Sequence, residues 1–140
     1  MEKKWNEETV ELLKDMHDLK SAGITSIVEV TNVLLSWVDE YFLKINFERS
    51  KILNYGKNSN TTIGITVLQK RLVIWVRGDL EVINIHGINN FNETIIISEF
   101  SINTYKSHEN KILSRKVLFE ILDEFTKGAI DNYLNERIYI

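Results

Sequence analysis

Apolar residues at three-and-four spacing open the chain: Val10, Leu12, Leu13, Met16 and Leu19 gather on one side of a helix over residues 6–21. Asn6 is placed to cap that helix, Glu7 and Glu8 suit the positive end of its dipole, Trp5 can staple onto Val10, and Gly23 supplies a stop. Residues 24–33 are rich in β-branched side chains. Ser26 and Glu29 nevertheless have capping-box spacing, and Val30, Leu34, Trp37, Val38 and Tyr41 recur at helical intervals, which predicts a second helix over 27–38. The period then drops to two. Tyr41, Leu43, Ile45 and Phe47 alternate with Phe42, Lys44, Asn46 and Glu48, the pattern of a strand with one buried face.

Residues 56–60, Gly-Lys-Asn-Ser-Asn, read as a surface loop, and beyond them lies a meander of strands over 63–67, 72–77, 80–86 and 94–100. Gly78 and Asp79 have the composition of a two-residue hairpin turn of the primed type. The chain returns to helix with a long apolar stripe running from Ile112 through Val117, Leu118, Ile121, Leu122 and Phe125 to Leu134, with Gly128 a point of bending or division. Residues 137–140 have strand composition. Two helices, then strands, then a helix define an α+β domain: an antiparallel meander of four or five strands flanked by two N-terminal helices and a long C-terminal one. Nothing resembling a linker or repeat interrupts residues 1–140, so a single domain is expected.

Composition narrows the function classes. The 140 residues carry a formal charge of -3 and a pI near 5.6, with no basic stripe, which argues against nucleic acid as a partner. Apolar runs are only a few residues long, far short of the roughly 20 that cross a bilayer, so no membrane is expected. The first residues lack the apolar core of an export signal, which points to the cytoplasm. Without cysteine there is no disulfide, thiol nucleophile or thiolate metal site. The wealth of Ile, Asn and Lys, and the absence of proline, indicate an AT-rich coding genome.

Catalytic motifs are missing. The six glycines are scattered, so no phosphate loop or dinucleotide fingerprint occurs, and His17, His86 and His108 share no metal-ligand spacing. No cofactor or metal site is read from the sequence. Glu120, Asp123 and Glu124 could be paired acids, but with Lys116 and Lys127 beside them they read as a solvated, salt-bridged helix face.

The hairpin over 72–86 is the most informative stretch. With Gly78 and Asp79 as its loop, Arg77 pairs with Leu80, Trp75 with Val82 and Val73 with Asn84. One face then carries Leu72, Ile74, Val76, Ile83 and Ile85, with Glu81 as the exception, and is the core face. The other presents Val73, Trp75, Arg77, Leu80, Val82, Asn84 and His86, a mixture suited to contact, since Trp and Arg dominate binding hot spots. The following Asn89, Asn90 and Phe91 add amides around an aromatic ring. All of these residues except Leu80 make up the candidate binding site.

The expectation is a non-catalytic binding protein, a stoichiometric inhibitor or regulator of a larger protein partner, of the immunity, anti-defence or phage accessory type. A small nucleotide-like ligand stacked on Trp75 or Phe91 is the alternative, and an enzyme with a nonstandard site around His86 and Asp79 is the third. The number of apolar faces in so short a chain also predicts a homo-oligomer.

Overall fold

The computed structural model describes residues 2–44, 52–88 and 94–138, with side-chain surroundings for 7–43, 52–88 and 94–135. Helices α1 (Glu2–Thr25) and α2 (Ile27–Lys44) precede strands β1 (Leu53–Ser59), β2 (Thr62–Val67), β3 (Lys70–Arg77), β4 (Val82–Ile88) and β5 (Thr94–Ser101), and α3 (Arg115–Ile138) follows. The strands form one antiparallel sheet in chain order, β1-β2-β3-β4-β5. This is the α+β architecture that the sequence pattern predicts.

One face of the sheet is the core. Ile63, Ile65, Leu72, Ile74, Val76, Ile83, Ile85 and Phe100 are all buried on it, against Leu34, Trp37, Val38 and Phe42 of α2 and Leu118 and Leu122 of α3. Helix α2 lies on β2 and β3, while α1 and α3 pack on α2. Three tyrosine hydroxyls tie these layers at their polar margins. Tyr55 of β1 donates to Asp39 (2.6 Å), Tyr41 of α2 donates to Asp123 of α3 (2.5 Å), and Tyr105 donates to the Leu19 carbonyl of α1 (3.1 Å).

Helix boundaries depart from the sequence reading for identifiable reasons. The first helix begins at Glu2, so Asn6 lies within it and is not its cap, and Val10 faces solvent where a staple to Trp5 would bury it. Gly23 does not stop the helix, which continues to Thr25. Its missing side chain serves packing: a Cβ there would come within 2.8 Å of the Tyr105 hydroxyl. Ser26 does cap α2, accepting the Glu29 N–H at 3.2 Å.

The strand expected over 41–47 is overturned at its start, because Tyr41, Phe42, Leu43 and Lys44 complete α2. Tyr41 and Phe42 are adjacent yet both buried, and Leu43 is exposed, which no half-buried strand allows. Aromatic packing explains it: Tyr41 meets Phe42 edge-on at 5.0 Å, and Phe42 stacks on Tyr55 at 4.8 Å. Ile45 and Phe47 lie outside the described residues. The first strand is instead β1, which takes in Gly56, Lys57, Asn58 and Ser59 of the expected loop and leaves only Asn60 and Thr61 to turn the chain.

At the other end, Ile112 forms an isolated bridge with Lys106, and α3 starts at Arg115, capped by Ser114, whose Oγ accepts the Val117 N–H. The helix passes through Gly128 undivided, and Arg137 and Ile138 are helical, not strand; Tyr139 and Ile140 lie outside the described residues.

Candidate functional site

The sheet turns its second face away from all three helices, and the register between strands sets its composition. Thr62, Trp75, Asn84 and Glu99 form one row across β2 to β5, and Gly64, Val73, His86 and Ile96 the next. Arg77 and Val82 lie beside Ser101 at the upper end. The six candidate residues Val73, Trp75, Arg77, Val82, Asn84 and His86 therefore share one surface. Asn89, Asn90 and Phe91 lie outside the described residues.

The pairing itself differs from the sequence reading by two positions. Arg77 opposes Val82, Trp75 opposes Asn84 and Val73 opposes His86, because the loop has four residues, 78–81, and no primed glycine turn. No glycine in the described residues has positive φ; Glu81 takes the left-handed conformation with φ 53°. The loop is fastened from outside, since the Glu81 carbonyl accepts the Ile102 N–H at 2.9 Å and its carboxylate accepts Asn103 at 3.3 Å. Gly78 has ordinary φ, and a Cβ there would fall 1.8 Å from the terminal methyl of Ile27 at the start of α2, which would have to turn away. A slip of two preserves every side chain's face, which is why the core and outer faces were assigned correctly while the partners were not. Leu80, expected on the outer strand face, and Glu81, read as a flaw in the core face, both belong to the loop.

Trp75 is 37% exposed. The Arg77 guanidinium lies over its ring at 4.2 Å from the centroid, and Nη2 reaches Asp79 at 3.3 Å, so the cation is held between an aromatic plane and a carboxylate. Arg77 Nε and Asn84 Oδ1 are sealed from water with no hydrogen-bond partner among the described residues. Val73 is buried beside Gly64, over which the Asn58 side chain folds: a Cβ on Gly64 would meet Asn58 Nδ2 at 2.5 Å. Burial holds the His86 imidazole below its ordinary value, favouring the neutral ring at pH 7. His86 and Asp79 sit at opposite ends of the β3–β4 hairpin, too far apart to act together.

Two hollows lie elsewhere, and neither is lined by Trp75, Arg77 or His86. A groove of about 390 Å3 runs between β5 and α3. A cleft of about 720 Å3 lies among α1, α2 and the start of α3, where Asp15 and Glu40 hold Arg115. Neither signals itself in the sequence, because each is assembled from elements about 20 to 100 positions apart. Glu120 and Glu124 are solvated as expected, but their predicted bridges to Lys116 and Lys127 do not form among the described residues, and Asp123 takes its hydrogen bond from Tyr41. Among the described residues no three His, Asp or Glu side chains converge as metal ligands, and no helix is long and apolar enough to cross a membrane.

Comparisons of the chain with protein-family models, with curated proteins and with solved structures return no match.

Proposed function

We infer that this chain is a stoichiometric binding protein that inhibits or regulates a larger protein by seating the outer face of its sheet upon it. The observation that carries this reading is the Trp75–Arg77 pair, stacked at 4.2 Å on a sheet face that no described helix covers. Trp offers a large rigid area and Arg a planar donor fork, and stacking fixes the fork before any partner arrives, so less side-chain entropy is lost on binding. The sealed Asn84 Oδ1 adds to the case. A buried donor or acceptor without a partner costs about 1–3 kcal/mol. A protein surface offering an amide N–H relieves that cost at Asn84, whose side chain turns toward it while the Arg77 fork stays in place.

The arrangement suits a macromolecule better than a stacked nucleotide, because the Trp75 ring is already occupied by the guanidinium. The AT-biased composition fits an accessory protein of the immunity, anti-defence or phage type.

The test is affinity capture from the native host, followed by titration of the captured protein with wild-type, Trp75→Ala and Arg77→Glu chains. Saturation near one-to-one, with roughly tenfold or greater weakening in both variants, supports the reading. Activity at trace amounts, or binding indifferent to both substitutions, overturns it.

A further inference from the structure

Strand β5 carries three consecutive isoleucines, and the structure leaves all of them open: Ile95, Ile96 and Ile97 are 52%, 63% and 45% exposed. A regular strand would bury one side. Here Ile85 pairs with Ser98 and His86 with Ile96, so Ile97 is the extra residue of an irregularity and the run turns apolar atoms toward both faces and the edge. β5 is also the last strand of the sheet. At its end Ser101 N–H is satisfied by the Lys106 carbonyl at 3.0 Å, but among the described residues no strand lies against the open side of residues 94–99.

Edges of this kind are ordinarily blunted by Lys, Pro or coverage. Thr94–Ser101 contains neither Lys nor Pro. The edge is instead one wall of the 390 Å3 groove, whose opposite wall is α3 with Val117 and Ile121. Its rim is acidic. Glu99, Glu109, Glu120 and Glu124 line it against one Lys and one His, and Lys111 is already 4.0 Å from Glu109. Glu99, Glu120 and Glu124 have no ion-pair partner among the described residues.

We propose that the β5 edge is a docking site for an extended basic segment of the protein partner, which adds to the sheet as a sixth strand. Main-chain hydrogen bonds to residues 94–99 supply the pairing, as in other strand additions. Apolar side chains of the segment settle on Ile96, Ile97, Val117 and Ile121, and its Lys or Arg side chains lie among Glu99, Glu120 and Glu124. Charge selects this occupant over a second copy of the chain, since edge-to-edge pairing of two copies brings the same carboxylates against each other. The proposal rests on the binding reading but not on the Trp75 face, although the Asn84–Glu99 pair makes the two surfaces continuous.

The test uses the full chain and three synthetic octapeptides: alternating Lys and Val, the same peptide N-methylated at alternate residues, and alternating Glu and Val. The basic peptide is expected to bind, to slow amide hydrogen exchange at residues 94–99, and to lose affinity as salt rises. N-methylation, or the chain variant Glu120→Lys/Glu124→Lys, should weaken it roughly tenfold or more, while the same charge reversal on exposed positions of α1, Glu7→Lys/Glu11→Lys, leaves it unchanged. Equal binding of the acidic peptide, indifference to N-methylation, or exchange at β5 slowed only by raising the chain's own concentration overturns the proposal. If the peptide fails while Trp75-dependent capture of a partner persists, the edge site alone falls. If capture fails while the peptide binds in this manner, the sheet-face reading falls.

Discussion

Asp15 of α1 and Arg115 of α3, 100 positions apart, are joined three ways: the Asp15 carboxylate accepts the Arg115 backbone N–H at 2.8 Å and its Nε at 2.9 Å, and pairs with Nη2 at 2.9 Å. Asp15 is only 2% exposed, so a carboxylate from one helix acts as an anchor for the positive end of another. Glu40 of α2 takes the remaining Nη1 at 3.1 Å, which brings all three helices to one guanidinium.

Removing the anchor should therefore cost far more than an ordinary surface pair. Asp15→Ala leaves Arg115 Nε and the Arg115 backbone N–H, an N-terminal donor of α3, without their acceptor, and a loss of about 2–4 kcal/mol is expected in urea unfolding. Glu40→Gln, at the exposed side of the same cation, should cost less than about 1 kcal/mol. Equal losses in the two variants would contradict the assignment of Asp15 as the structural centre.

Gly23 and Gly128 make opposite predictions from the same substitution. Alanine in a helix interior is favoured over glycine by about 1 kcal/mol. At Gly128 nothing lies within 4 Å, so Gly128→Ala should gain about that amount. At Gly23 the new Cβ meets the Tyr105 hydroxyl at 2.8 Å, and Tyr105 cannot easily retreat, being buried with φ 56° and bonded to Leu19. Gly23→Ala should destabilise, and Tyr105→Phe in the same chain should recover part of the loss; a double-mutant cycle on thermal unfolding reads that coupling directly.

What the sequence made legible follows from what is local. Alternation along β2, β3 and β4 and the cap at Ser26 are short-range signals, and the faces they assign survive even where the hairpin register is wrong by two. The end of α2 was illegible because Tyr41 and Phe42 are both buried by partners elsewhere in the chain, Phe119 and Tyr55 among them. Gly23 looked like a stop for the same reason: the residue that needs its bare Cα is Tyr105, far along the chain. At the candidate site, the co-facial set from Val73 to His86 was readable from parity. The acidic groove at β5 was not, since it needs β5, the segment 107–111 and α3 brought side by side.

Two titrations give pH dependence of opposite sign. Burial first, and then the Asp123 carboxylate, push Tyr41 up to about 12 from 10.0. Above pH 10 the unfolded chain releases this proton while the native chain keeps it, so the contribution is present in full below pH 10 and is lost as pH rises to about 12. Tyr41→Phe should remove that alkaline loss. Asp123→Asn should lower the tyrosinate midpoint without returning it to 10.0, because burial remains. His86 behaves in reverse: burial lowers its value below 6.5, so its contribution is present above that pH and is lost as pH falls through the native value. Stability curves of His86→Gln should lack this acid slope.

The last prediction concerns whether the Trp75 face is open in the free chain. Of the three tryptophans, Trp37 is buried against the sheet and Trp75 is 37% exposed on the far side. The fluorescence lost on Trp75→Phe should therefore be a red-shifted component that acrylamide quenches readily, and the substitution should change stability by no more than about 0.5 kcal/mol, as expected for a surface position. The outer face mixes Thr62, Arg71, Asn84, His86 and Glu99 with its apolar residues, and two occupants compete for it: the second copy that the count of apolar faces predicts, and a different protein, for which the quenching should not depend on protein concentration. Sedimentation at micromolar concentration decides between the two occupants of this face. A monomeric mass with accessible Trp75 leaves the surface free for a different protein. A dimer in which Trp75 becomes protected would make this face a self-interface, and the reading of it as the surface that meets a larger partner would fall.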